Sequence, residues 1–289
     1  MPNYSERDFG CPVQCRYCAV TKVDRRRRQW NKKTLIGLNA SVTIINPPPH
    51  PTRQSLREFY ALPPELFRGD RIGFNAISDP FWPKYRPELD YFLTAFSPVA
   101  KIITAVTKFP VAPEIMEKLS KVNNFRLVVT VTGLDSLEKV STARRLEVLR
   151  QARYYGLQAF PIIHPYIAGL TDLTFLSALK KNGYDKIGIK GLRYNSRTMD
   201  PWLPSASRSW YSGHAEKEIL PDDGWRKKIT QTGLEITDLR SWYDSVCPET
   251  PRVSQVEARQ SVMQILPRAN ITSSRSAAEV IDSAIRRRL

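Results

Sequence analysis

Thr142-Ala-Arg-Arg-Leu-Glu-Val-Leu-Arg-Gln-Ala-Arg-Tyr-Tyr155, then Gly156, then Leu157-Gln-Ala-Phe-Pro-Ile-Ile163, is the stretch on which the fold turns. Ala143, Leu146, Leu149 and Ala152 recur at helical spacing, and Arg144, Arg145, Arg150 and Arg153 fall elsewhere, so the first part reads as an amphipathic helix. Gly156 stands where a helix stops in a left-handed residue. Leu157–Ile163 follows at once as an apolar strand. Buried strands that alternate with helices form parallel βαβ units.

The same alternation extends both ways. Before it lie strands at Ile72–Ile77, Lys101–Thr107 and Arg126–Val131, with helices at Pro87–Phe96 and Ala112–Leu119 between them. After it come a helix at Asp172–Asn182, ended by Gly183, and a strand at Lys186–Lys190. Further upstream, Ser41–Ile45 reads as a short strand, and the proline-rich 47–64 as a connection with a helical turn near Ser55–Tyr60. Tyr4–Phe9 is the only room for a strand before the cysteines, and with the five strands of the alternation, Ser41–Ile45 left out, it makes six. In a parallel α/β barrel the chemistry sits at the carboxyl ends of the strands.

Cys11-Pro-Val-Gln-Cys15-Arg-Tyr-Cys18 holds three of the four cysteines in the chain, spaced C-x3-C-x2-C. Thiolates that close can bind one metal centre from one loop, and soft sulfur donors select zinc, copper(I) or iron–sulfur clusters. A structural zinc site normally takes a fourth protein ligand, and no partner pair is visible. Three thiolates suggest instead a cluster with one iron left open. Three ligand-spaced cysteines and one remote one do not make a disulfide framework.

The 289 residues suffice for one sizeable core, and 42% of them are apolar. With no long apolar run and no charged-then-apolar leader before Cys11, a soluble cytoplasmic protein is expected. Lys and Arg number 44 against 28 acidic residues, for a net charge of +16. Such an excess favours polyanions, so nucleic acid or a phosphate-bearing substrate is the expected partner. Arg25, Arg26, Arg27, Arg28, Trp30, Lys32 and Lys33 form the densest basic run, starting seven residues after Cys18. Arg25–Arg28 are candidates for substrate phosphates and Trp30 for a stacked base.

The cysteine spacing, with an aromatic residue before the last cysteine, resembles the signature of radical S-adenosylmethionine (SAM) enzymes. The strand ends extend the resemblance to the spore photoproduct lyase-like branch over roughly residues 4–195. They read Ser78-Asp79-Pro80-Phe81-Trp82-Pro83, then Thr107-Lys108, then Thr130-Val131-Thr132-Gly133-Leu134-Asp135. Arg144-Arg145 and Pro165-Tyr-Ile-Ala-Gly169-Leu-Thr-Asp172 complete the set. Phe109 and Gly133 depart from that branch's pattern. The resemblance implies a partial (β/α)6 TIM-type barrel of radical SAM type in residues 1–195, with residues 196–289 as an extension.

It also implies a [4Fe–4S] cluster on Cys11, Cys15 and Cys18, SAM on the fourth iron, an external one-electron reductant, and a 5′-deoxyadenosyl radical that takes a substrate hydrogen. Resemblance and chemistry together nominate Ser78 and Asp79 for the ammonium and sulfonium end of SAM. Thr130 and Thr132 then face ribose or carboxylate, Arg145 (or Arg144) pairs the carboxylate, and Lys108 contacts SAM or substrate. Tyr17 and the segment Ile163-His164 border adenine.

The extension carries Trp202, Trp210, Trp225 and Trp242 among basic residues. They either pack over the open side of the barrel or form a lid that stacks on bases. Cys247 is a buried thiol or a hydrogen-atom donor. Ser276–Leu289 reads as a closing amphipathic helix.

The expected function is a radical SAM enzyme that modifies, rearranges or cleaves a nucleic-acid base or its substituent. Two rivals are a radical SAM maturase of a peptide or small natural product, and a zinc-stabilised nucleic-acid-binding protein without radical chemistry.

Overall fold

The computed structural model describes residues 11–18, 35–39, 42–194, 196–211 and 218–246. The expectations for the strand at Tyr4–Phe9, for Arg25, Arg26, Arg27, Arg28 and Trp30, for Cys247 and for the helix Ser276–Leu289 lie outside these residues.

In chain order the elements are β1 (Ile36–Asn39), β2 (Val42–Ile45), α1 (Arg53–Tyr60), β3 (Arg71–Phe74), α2 (Arg86–Phe96), β4 (Ile102–Thr107), α3 (Pro113–Ser120), β5 (Phe125–Thr130), α4 (Thr142–Tyr154) and β6 (Ala159–Ile163). They continue with α5 (Leu176–Lys181), β7 (Lys186–Ile189), β8 (Leu192–Arg193), α6 (Ser196–Met199), α7 (Ser205–Tyr211), β9 (Glu218–Ile219), α8 (Trp225–Gln231), β10 (Glu235–Ile236) and α9 (Leu239–Val246). One sheet runs β1-β2-β3-β4-β5-β6-β7-β10. Every pairing from β2 to β10 is parallel, and β1 joins β2 as an antiparallel hairpin.

The α/β class and the strand–helix alternation are as expected. The strand count is not. Among the described residues seven strands run parallel, because β2 takes the place beside β3 and the extension adds β10 beyond β7. Neither was counted from the sequence. β2 is only four residues long and followed by prolines, and β10 is a two-residue strand with no pattern of its own.

Side chains alternate across the strands, as the pleat requires. Ile45, Ile72, Ile103, Leu127, Val129, Ile163 and Ile187 face outward into the main core beneath the helices. Val42, Ile44, Ile102, Val128, Phe160 and Ile162 face inward. The inward cluster spans β2 to β6 on one side of the sheet, which therefore curls around it. α4 begins at Ser141, whose hydroxyl accepts from Arg144 N. It ends in a Schellman arrangement: Gly156 N donates to Arg153 O, Leu157 N donates to Ala152 O, and Gly156 has φ +69°.

α9 fills the amino end of the barrel. Trp242 stacks on Phe160 with ring centroids 4.8 Å apart, and the Tyr243 hydroxyl lies 3.0 Å from Thr104 Oγ1. Arg71, at the start of β3, pairs with Asp244 at 2.7 Å. Trp225 is buried in the outer core and donates to Pro221 O. Trp242 and Trp225 thus take the packing alternative rather than the lid. They reach the barrel from below and outside, away from its mouth. Trp202 lies beside the cysteine loop, and Trp210 is 44% exposed.

Candidate cofactor site at the carboxyl ends of the strands

The loop Cys11–Cys18 lies across the carboxyl ends of the strands, held by backbone pairing to the segment after β5. Arg16 N donates to Leu137 O at 2.9 Å, and Lys139 N donates to Val13 O at 3.1 Å. Tyr17 anchors the loop in a satellite core with Leu134, Leu137, Ile167, Leu192 and Tyr211. Alternate residues then point the same way. Cys11, Val13, Cys15, Tyr17 and Cys18 line a cavity of about 400 Å³, whereas Gln14 and Arg16 are exposed.

The three thiols are outside any disulfide and half-buried. Burial pushes Cys11 up to about 11 and Cys15 up to about 12, so a bound metal must displace their protons. Among the described residues no three His, Cys, Asp or Glu side chains converge on a point that suits one metal ion. Cys11, Cys15 and Cys18 line the same cavity, and soft thiolates are the donors that an iron–sulfur cluster takes.

The opposite wall comes from the ends of β3 to β6. Ser78, Asp79, Lys108, Thr130 and His164 all line the cavity with Tyr17. The Asp79 carboxylate is buried and accepts from Thr107 Oγ1 (2.9 Å), Lys108 N (2.8 Å), Phe109 N (3.1 Å) and Phe81 N (3.1 Å). Burial lifts it to about 6 against these four donors. Asp79 ties the β3 exit to the β4 exit, and its oxygens are already engaged. The polar atoms left over nearby are Ser78 Oγ and Asn75 Nδ2, both buried without a hydrogen-bond partner. Asn75 has φ +58°, a left-handed geometry that Asn tolerates, and its Oδ1 accepts from Ser78 N at 3.0 Å.

Thr132 and Arg145 do not reach the cavity surface. Arg145 is wholly buried behind Lys108 and forms an ion pair with Glu138, also wholly buried. Its guanidinium donates to Thr132 Oγ1 (2.7 Å), Val140 O (2.6 Å) and Lys108 O (3.3 Å). The carboxylate that Arg145 holds here is therefore a protein side chain. Glu138 also receives Lys108 Nζ (3.0 Å), Thr132 Oγ1 (2.6 Å) and the Cys15 thiol (3.7 Å). Lys108 Nζ donates in turn to the Tyr17 hydroxyl and sits 4.6 Å from that ring's centre. Burial pulls Lys108 down to about 8 and Glu138 up to about 7.

His164 lies at the mouth, its Nε2 3.9 Å from Glu218 Oε1. The cavity wall first, then Lys108, Lys190 and Arg193, push its pKa down, and its partly exposed ring moderates that shift. It stands neutral at pH 7.

Glu138 and Asn75 were missed by sequence reasoning. Glu138 is a single acidic residue in Ser-Leu-Glu-Lys, and only the fold brings it to Cys15, 123 positions away. Gly133 also finds its reason here. Its φ is +61°, and a Cβ there would lie 1.9 Å from Asp172 O, so no threonine fits.

No protein-family model and no curated protein matches the chain. Among solved structures it is similar to Streptococcus suis SuiB bound to S-adenosylmethionine, at TM-score 0.48 and 11% identity over 80% of this chain and 48% of that one. SuiB bound to the precursor peptide SuiA gives 0.45 and 14%, over 87% of this chain and 52% of that one. Spore photoproduct lyase complexed with dinucleoside spore photoproduct gives 0.44 and 11%, over 81% and 71%. The chain spans about half the length of the SuiB chains. At these scores and identities the likeness assigns neither family nor chemistry, and the site is read from its own residues.

Proposed function

We propose that the chain is a radical SAM enzyme whose Cys11, Cys15 and Cys18 hold a [4Fe–4S] cluster, with SAM in the adjoining cavity. The observation that carries this is the pairing of three thiols on one wall with unpartnered Ser78 Oγ and Asn75 Nδ2 on the other. The thiols are the soft donors that a cluster takes. The two orphaned polar atoms are a donor and a donor–acceptor awaiting a small polar ligand. When bound, the two groups supply reductive cleavage of a sulfonium bond and hydrogen-atom abstraction from a substrate.

The chain's own residues bind, orient and shield. Ser78 and Asn75 bind the polar end of SAM. Lys108, braced by Glu138 and Tyr17, presents a cation to the cavity, and Thr130 offers a hydroxyl beside it. His164 and Leu192 border the apolar part, and α9 seals the barrel against water from the amino end. Asp79, Thr132 and Arg145 hold the strand exits in register rather than the ligand.

The substrate we infer is a nucleic-acid base or its substituent, supported by the net charge of +16. A peptide substrate is the second reading within the same chemistry. Anaerobic reconstitution tests the proposal. The expected result is a brown protein with [4Fe–4S] stoichiometry that releases 5′-deoxyadenosine from SAM under reduction, both lost in Cys11→Ala, Cys15→Ala and Cys18→Ala. A colourless protein with stoichiometric zinc, inert to SAM, refutes it. Salt-independent binding to DNA and RNA refutes the nucleic-acid substrate alone.

A further inference from the structure

Cys15 shares a partner with a buried cation. Its thiol and the Lys108 ammonium both donate to Glu138 Oε1, at 3.7 Å and 3.0 Å, so sulfur and ammonium are neighbours on one oxygen. The other carboxylate oxygen, Oε2, is held by Arg145 and by Thr132 Oγ1 (2.6 Å), which keeps the group from turning away. The backbone fixes the same meeting. Leu137 O and Lys139 N pair with the cysteine loop at Arg16 N and Val13 O, with Glu138 between them. Lys108 Nζ is steadied from the loop side as well, by the hydroxyl of Tyr17, the residue before Cys18.

This wall is dry. The Glu138 and Arg145 side chains have no solvent contact, and the Lys108 side chain is 18% exposed. Charges in such a place act on their neighbours with little screening by water or salt. Lys108 is the strongest charge acting on the Cys15 sulfur and Glu138, of opposite sign, is the next; the ammonium also acts on Cys11 and Cys18. The fold does not ask for this lysine. Glu138 and Arg145 already balance one another across the strand exits, and burying a second cation beside them costs more than an apolar chain would. What the lysine adds is a positive charge fixed next to the thiols.

We propose that Lys108 sets the reduction potential of a cluster on Cys11, Cys15 and Cys18, and that Glu138 is the positioning residue that fixes its ammonium beside Cys15. This rests on the cluster reading given above. On reduction a cluster gains one electron from an external one-electron reductant, and no bond in the wall is made or broken. Net charge and hydrogen bonding around the sulfurs decide how favourable that gain is. The lysine favours the reduced form, and the carboxylate, an anion at the same sulfur, opposes it. The two side chains therefore have effects of opposite sign.

The test uses the anaerobically reconstituted full chain without SAM, reduced stepwise by dithionite with mediator dyes at pH 7.5 and read by electron paramagnetic resonance. Lys108→Met is expected to make reduction at least about tenfold less favourable, a midpoint lower by at least about 59 mV for one electron, at unchanged iron content. Lys108→Arg keeps the cation and stays within about threefold of the parent. Glu138→Gln moves the midpoint upward, by at least about threefold in the same equilibrium. A merely structural role shifts Lys108→Met and Glu138→Gln the same way, or lowers their iron content and leaves the midpoint alone. Either result overturns the proposal, as does a midpoint unmoved in Lys108→Met or equally lowered in Lys108→Arg. Where Glu138→Gln takes up no iron, Lys108→Met against Lys108→Arg decides. A parent chain that takes up no iron refutes the cluster reading itself, whereas a loaded chain whose midpoint ignores Lys108 removes this inference alone.

Discussion

Replacing Arg145 by Met decides whether its guanidinium supports the fold or is reserved for a ligand. Both Arg145 and Glu138 are wholly excluded from solvent, and the guanidinium also satisfies Thr132, Val140 O and Lys108 O. Removing one member of such a pair leaves the other as a poorly compensated buried charge and costs about 3–5 kcal/mol. Set against a total of about 5–15 kcal/mol for a typical fold, that is a large share. At about 2–4 °C per kcal/mol it corresponds to a melting point lower by roughly 6–20 °C. The double variant Arg145→Met/Glu138→Gln removes the stranded charge and recovers part of the loss, because residues in one network are not additive. Thermal unfolding of the iron-free, reduced protein by circular dichroism measures both. A loss under about 1 kcal/mol in Arg145→Met, with SAM binding abolished in the reconstituted protein, refutes the clamp and restores Arg145 as a cofactor ligand.

Ser78→Ala removes a hydroxyl that has no partner, so unfolding of the iron-free protein stays within about 0.5 kcal/mol. Calorimetry on the reconstituted protein shows SAM affinity falling roughly three- to tenfold, one lost hydrogen bond; unchanged affinity places the ligand elsewhere. Trp242→Ala takes the stacked ring out of the barrel and costs about 3–5 kcal/mol in urea unfolding. A cost under about 1 kcal/mol means that α9 does not seal the barrel.

The parallel sheet was legible because its evidence is local. β4 and β5 are runs of mostly β-branched and apolar residues, and α4 carries its stopping glycine, although the face it buries is Thr142, Arg145, Val148, Leu149 and Ala152 and the expected Ala143 is exposed. The cysteine loop was legible because one loop holds all three thiols. The brace behind it was not, since Glu138 meets Arg145 across a turn and Cys15 only through tertiary packing, and a lone Glu carries no signature. Arg145 drew attention as a fork suited to a carboxylate. The sequence could not say whose carboxylate, and in this structure it belongs to the protein. The tryptophans of the extension left packing and lid both open, because composition tells what a ring can do and packing decides which face of the barrel it meets.

α9 has a consequence for the order of events on the ribosome. The inner wall, Val42, Ile44, Ile102, Val128, Phe160 and Ile162, is made early, whereas the stopper that covers it is the last described segment to emerge. Until then the nascent chain holds a curled sheet with a greasy, uncorked bore, the kind of surface that invites aggregation or chaperones. The cysteine loop, by contrast, is the first described segment to emerge. On the cluster reading proposed above, its thiols are therefore on offer while the bore is still open at the far end.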